Sequence, residues 1–257
     1  MSTLNVFSRY EIKYLITKEE KTRLLEVMDT HMKPDAFGKS TICNIYFDTP
    51  DKVLIRRSLE KPCYKEKLRL RSYGVSNPES TVFLEIKKKY KGVVYKRRIN
   101  LDEKTATNYV VGHIPLVQQS QISKEIDYLL CSYKNMEPSV VLSYEREAFF
   151  SKEDENFRMT FDENILMREY DLSLNSGIYG DRILPEDMAV MELKTVSGLP
   201  EWLRNFLDEN KLYKTSYSKY GNAYINSMLP KFLENNSIAQ DKHVHNMEQK
   251  RGVNNVA

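Results

Sequence analysis

The chain of 257 residues is long enough for one large domain or two small ones, and its 41% apolar content suffices for a core. Its 39 basic residues are nearly matched by 36 acidic ones, for a net charge of +3, which excludes the overall basic excess of a general nucleic-acid binder. The cysteines, Cys43, Cys63 and Cys131, share no CxxC-like spacing, which speaks against a thiolate metal site and for reduced thiols in a cytoplasmic protein. The opening MSTLNVFSRY has no signal-peptide pattern, and no window approaches 18 consecutive apolar residues, so no membrane segment is expected.

Strand signals come first along the chain. Residues 5–16 (NVFSRYEIKYLI) are rich in aromatic and β-branched side chains. Thr17 and Glu20 then form a capping box ahead of Leu24, Leu25, Met28 and Met32 at helical spacing. Further strands are expected at 40–49, 65–74, 80–90, 92–101, 138–150, 157–165 and 189–196. Helices are expected at 122–133, where Ile122, Ile126, Leu129, Leu130 and Tyr133 repeat helically, and at 199–210 and 219–229. Strands in series with inserted helices favour an α+β fold, and eight strands can close into an antiparallel β-barrel wide enough for a small ligand, helices packed outside. Residues 1–230 read as one domain; residues 231–257 are polar, lack periodic apolar positions and read as a mobile tail.

The segment KEKLRLRSYG poses the functional question. As a strand it sends Lys65, Lys67, Arg69 and Arg71 one way and Leu68 and Leu70 the other. The pattern recurs: Arg9, Glu11 and Lys13 share a face, as do Glu85, Lys87 and Lys89, then Lys96 and Arg98, Tyr144 and Arg146, Arg158, Thr160 and Asp162, and Glu192 and Lys194. One such strand is ordinary for a sheet with one wet face. Repeated on most strands, like charges would repel across the sheet unless something neutralises them. Closing the sheet with its apolar faces outward makes a lumen lined with Lys and Arg, suited to a polyanion such as a phosphate chain. The carboxylates among the cations then suggest a hard divalent ion, Mn²⁺ or Mg²⁺, shared with phosphates.

Other motifs fail. GKS at 38–40 lacks the glycine five residues earlier, where Lys33 stands, and is followed by a β run. No GxSxG, HExxH or CxxC occurs, and the histidines are too scattered for a triad, although HVH at 243–245 could bind a metal weakly.

RYEIKYLI, LRLRSYG, FLEIKKKYKG, LSYEREAF, FRMTFDENI, VMELKT and SYSKYGNAY, in that order over residues 7–224, resemble the polyphosphate polymerase domain of the vacuolar transporter chaperone (VTC) type. That domain belongs to the triphosphate tunnel metalloenzymes, together with the CYTH thiamine-triphosphatases and class IV adenylate cyclases. The resemblance implies an eight-stranded tunnel that transfers the terminal phosphoryl group of ATP to phosphate or polyphosphate. It implies phosphoryl-handling roles for Arg69, Arg71, Lys87, Arg146 and Arg158, and phosphate binding by Lys13, Lys194 and Lys219; the charged strand faces add Arg9, Lys67, Lys89, Lys96 and Arg98 as phosphate-binding candidates. Glu192 is the implied metal ligand, with Glu11 and Glu85 as secondary candidates. Where CYTH members carry ExExK, this chain has Arg9-Tyr10-Glu11-Ile12-Lys13, which argues against a two-glutamate triphosphatase site in the first strand. The position three before Lys219, a second lysine in some eukaryotic members, is Ser216. A triphosphatase with water as acceptor and a non-catalytic polyphosphate-binding module remain the alternatives.

Overall fold

The computed structural model describes residues 10–91 and 93–234; Arg9, the HVH segment and nearly all of the expected tail lie outside them. In chain order the elements are β1 (Tyr10–Thr17), α1 (Lys18–Met28), β2 (Met32–Pro34), β3 (Ser40–Asp48), α2 (Val53–Leu59), β4 (Tyr64–Tyr73), β5 (Thr81–Tyr90) and β6 (Val93–Asp102). After these come α3 (Glu103–Val110), α4 (Gln121–Ser132), β7 (Glu137–Ser151), β8 (Arg158–Arg168), β9 (Asp181–Arg182), β10 (Met188–Thr195), α5 (Glu201–Glu209) and α6 (Lys219–Ala223), the last running into a π-helical turn (Tyr224–Met228).

One antiparallel sheet holds the fold together, in the order β1-β10-β8-β7-β3-β4-β5-β6, with β2 added beside β7 and β9 beside β8. This corrects the expected closed eight-stranded barrel: the sheet has ten strands, and β1 and β6 do not pair among the described residues. The outer edge of β1 is met instead by the segment leading to α6, where the Thr215 amide donates to the Lys13 carbonyl at 2.7 Å. From Val93 to Arg98, β6 is exposed on both faces and carries Lys96, Arg97 and Arg98 in succession, charge that discourages edge pairing. The sheet nevertheless curls far round, because Lys87 Nζ on β5 lies 3.6 Å from Glu11 Oε2 on β1.

The apolar face of the sheet turns outward under the helices. Leu68 and Leu70 of β4 are 0% and 1% exposed, in one cluster with Leu84 and Ile86 of β5, Tyr109 of α3 and Ile126 and Leu129 of α4. Each such leucine contributes about 1.5–3 kcal/mol by burial. A second cluster packs Leu24 and Met28 of α1 and Leu203 and Phe206 of α5 on Ile16, Phe161, Met191 and Leu193. α1 begins with the expected capping box, Thr17 Oγ1 accepting from the Glu20 amide at 3.1 Å and Glu20 Oε2 from the Thr17 amide at 2.7 Å. The helix ends sooner than the apolar spacing implies, and Met32 starts β2.

Two helices were not read from the sequence. α2 starts after Lys52 in the left-handed region (φ 57°), with no cap from the adjacent residue; Asp48 reaches forward to accept from the Leu54 and Ile55 amides at 2.8 and 2.9 Å. α3 is capped by Asp102, the last residue of β6, through the Thr105 amide at 2.8 Å. Not every helix packs outside as expected: α6 and the π-helical turn, with Ile55 of α2, cover the opposite face of the sheet, where Tyr46, Val140, Leu142 and Met167 cluster with Tyr220, Ala223 and Met228. Residues 231–234 continue as helix.

Candidate active site

With the leucines outward, the alternate positions of each strand face the concave side, where the register sets them in rows. Glu11, Lys194 and Arg158 form one row across β1, β10 and β8; Lys13, Glu192 and Thr160 form the next. Asp162 and Arg146 are partners across β8 and β7. On the other wall, Tyr46, Arg69, Glu85 and Arg98 run across β3, β4, β5 and β6, and Lys67, Lys87 and Lys96 lie directly opposite one another beside them.

Three carboxylates organise the cations. Glu192 Oε1 lies 2.9 Å from Lys194 Nζ and its Oε2 lies 3.5 Å from Lys13 Nζ, which is also 3.3 Å from Glu11 Oε1. Asp162, with no exposed surface, accepts from Arg146 Nε and Nη2 at 2.6 and 2.7 Å and also binds Lys219 Nζ from α6. Glu85, 1% exposed, takes Arg69 Nε and Nη2 at 2.7 Å each on Oε2, with Lys96 Nζ at 2.6 Å from Oε1 and Arg98 Nη1 at 3.9 Å. Arg71 donates to Asn44 Oδ1 at 2.8 Å and to the Tyr144 hydroxyl at 3.2 Å, and Arg69 Nη1 donates to the Tyr46 hydroxyl at 3.1 Å.

The electrostatics tie the walls into one site. Burial works against the charge on Glu192, but Lys194, Lys13 and Arg146, from three strands, outweigh it and hold the carboxyl well below the ordinary range. Burial likewise opposes charge on Glu85, which Arg69, Arg71 and Lys96 hold down to about 2. Lys67 has the opposite problem. Burial and the neighbouring Lys87, Lys65 and Lys13 push its ammonium down to about 8 despite the attraction of Tyr46. The Tyr46 phenol is buried, yet Arg69, Lys67 and Arg71 overcome the desolvation and bring it down to about 7. A lysine driven to lose its proton and a phenol driven to lose its own are both signs of uncompensated positive charge, which an anion would relieve.

Two buried polar atoms on the concave face of β8, Thr160 Oγ1 and Arg158 Nε, have no hydrogen-bond partner. Thr160 sits opposite Glu192 in the register. Among the described residues no group of three His, Cys, Asp or Glu side chains forms a metal cage. Glu192 and Glu11, both close to Lys13 Nζ, instead supply two hard carboxylates that could hold a Mg²⁺- or Mn²⁺-type ion.

The structure thus brings together Lys13, Lys67, Arg69, Arg71, Lys87, Lys96, Arg98, Arg146, Lys194 and Lys219 with Glu11, Glu85 and Glu192. Arg158 stands at the rim, 3.5 Å from Asp35 Oδ2 and stacked on Phe150. Lys89 lies exposed near the end of β5. Glu85 differs from the other two candidate metal ligands in that three cations occupy its oxygens. Sequence reasoning missed Asn44, Tyr46 and Tyr144 as partners of the arginines. It also left Asp162 without a role, although its place on the Arg158 face carried the signal.

A family model for the VTC domain matches residues 8–228. No curated protein matches the chain. Among solved structures, a candidate adenylate cyclase from Bacillus halodurans aligns over 82% of this chain and 95% of its own at 16% identity, with a TM-score of 0.52, a likeness of fold. A candidate adenylyl cyclase from Hippeastrum, described as having a dominant triphosphatase activity, aligns over 85% of this chain and 96% of its own at 18% identity and a TM-score of 0.48. With the family model covering nearly all of the described residues, the chain belongs to the VTC-domain family.

Proposed function

We propose that the protein is a metal-dependent phosphotransferase that moves the terminal phosphoryl group of ATP onto inorganic phosphate or the end of a polyphosphate chain. The observation that carries this reading is the excess of buried and half-buried cations on the concave face. Its few carboxylates are each already shared among several Lys and Arg side chains. Such a face is built for a ligand with many anionic oxygens. An incoming phosphate is itself an anionic nucleophile, so no strong general base is required, which fits a site whose members are Arg, Lys, Glu, Asp and Tyr.

Arg69 and Arg71, fixed by Glu85 and Asn44, would hold phosphate oxygens from one wall, with Lys87, Lys96 and Arg98 beside them. Arg146, fixed in bidentate fashion by Asp162, would hold them from the other, with Lys13, Lys194, Lys219 and Arg158. Pre-set donors of this kind position the reacting groups and stabilise the charge of the transferred group without reorganising. Glu192, with Glu11, would hold Mg²⁺ or Mn²⁺, which when bound neutralises phosphate charge.

The test is incubation with ATP and Mn²⁺ followed by separation of the products. Polyphosphate chains together with ADP support the reading. Free phosphate alone assigns the same site to hydrolysis, and tight tripolyphosphate binding without turnover assigns it to binding only; either result overturns the transferase.

A further inference from the structure

The loop between β2 and β3 is fastened to the rim of the site by one carboxylate. Asp35 Oδ1 accepts the Phe37 amide at 2.6 Å, and Asp35 Oδ2 lies 3.5 Å from Arg158 Nη2. Gly38, in the left-handed region at φ 57°, closes the turn with its amide 3.3 Å from the Asp35 carbonyl. The result is a phenylalanine ring 82% exposed, held one side chain away from a guanidinium whose Nε is buried and unpartnered. A single exposed apolar residue is unremarkable on a surface. One whose backbone is pinned to a cation of the anion site is in a position to serve that site.

We propose that Phe37 is the stacking platform for the nucleobase of a bound nucleoside triphosphate. The inference rests on the phosphate-binding reading above. With phosphates on the inner cations and one at Arg158, which itself stacks on Phe150 at 4.6 Å, the ribose and base would extend outward toward the exposed ring of Phe37 on the adjoining loop. The charged side chains of the loop are engaged elsewhere. Both Asp35 oxygens are engaged, and Lys39 Nζ lies 2.8 Å from Glu145 Oε2. The platform therefore accepts any base, since every base offers a π face.

The experiment is a calorimetric titration of ATP, GTP and inorganic tripolyphosphate, in the same Mg²⁺ buffer, into the parent protein and the variants Phe37→Ala and Phe37→Trp. Because Phe37 is exposed, both variants should fold, and circular dichroism checks this. Phe37→Ala should weaken ATP and GTP alike by about 5–10-fold, the scale of one-sided base stacking. Tripolyphosphate should stay within about twofold, and Phe37→Trp should retain nucleotide affinity. Unchanged ATP affinity in the alanine variant overturns the proposal, and so does an equal loss for ATP and tripolyphosphate, or a loss for one nucleotide only. A parent protein that binds neither ATP nor tripolyphosphate overturns the phosphate site itself, a result distinct from any of these.

Discussion

Replacing Asp162 by asparagine removes one negative charge and almost no volume from the most enclosed point of the site. In the parent, this unexposed carboxylate carries a two-pronged contact from Arg146 and a contact from Lys219. Arg146 and Lys219 both also lie over the Tyr144 ring, at 5.3 and 4.4 Å, so the variant leaves two cations facing one another across a single aromatic face. Stranding a buried charge in this way costs about 3–5 kcal/mol. For a chain of this size that corresponds to a fall in melting temperature of roughly 6–20 °C. The same stranded cations should make the variant a better receptor for a polyanion. Tripolyphosphate at 100 times its Kd stabilises any single-site binder by about 2.7 kcal/mol. Tighter binding by Asp162→Asn at a given concentration should therefore close part of its deficit. Thermal unfolding of both proteins over a tripolyphosphate series reads both effects. A loss below about 1 kcal/mol, or an anion response equal in the two proteins, would refute the reasoning that Asp162 is the internal counter-ion of this cluster.

Three further outcomes are expected. Glu192→Gln should keep the fold but abolish turnover that depends on a divalent ion, because the amide keeps the shape and loses the anionic oxygens a hard cation prefers; product analysis with and without Mn²⁺ checks it. Tripolyphosphate affinity should fall as pH rises through about 7 and then about 8, as Tyr46 becomes phenolate and Lys67 loses its ammonium proton. In binding titrations Tyr46→Phe should remove the lower step and Lys67→Arg the upper. Glu85, held down to about 2 in the folded protein from an ordinary value of 4.5, contributes stability that is present above pH 4.5 and lost as pH falls towards 2. That contribution is about 3 kcal/mol, so acid denaturation of Glu85→Gln should be correspondingly less steep across this window.

The eight long strands were legible from their β-branched and aromatic content, and the face assignment followed from cations recurring at alternate positions on most of them. The capping box of α1 was equally plain, since both partners lie within four residues. What escaped depended on distance along the chain. α2 was missed because its cap, Asp48, stands several residues upstream at the end of a strand and works through a side chain turned forward. The open seam between β1 and β6 was missed because alternation says which face a residue occupies, not which edge meets which. Nothing in the β1 pattern reveals that Thr215, some 200 residues later, takes the bond to Lys13. Among site residues the cations announced themselves by repetition. Tyr46 and Asn44 did not, because an aromatic or an amide among apolar strand residues reads as core until its partner across the site is known, and Tyr144, though placed on the charged face, gave no sign of its bond to Arg71.

The two neighbouring rows of the β4–β5–β6 wall explain why such a site favours a polyanion over a single phosphate. The row of Arg69, Glu85 and Arg98 has a carboxylate between its two cations, so each has an anion directly opposite. The row of Lys67, Lys87 and Lys96 sets three ammonium groups directly opposite one another. Its members turn to neighbours for relief: Lys96 reaches across to Glu85 at 2.6 Å, and Lys87 crosses the seam to Glu11 at 3.6 Å. Among the described residues Lys67 finds no carboxylate, but the Ser218 hydroxyl at 3.2 Å and the face of Tyr220 at 5.8 Å, and its proton is held weakly. Folding therefore tolerates a repulsion that no side chain on this wall resolves. A single phosphate on the Arg69 row would leave it in place. A chain of phosphates laid across both rows would supply an anionic oxygen to Lys67 as well, so each added phosphate gains both its own hydrogen bonds and the release of a strain already present in the empty protein.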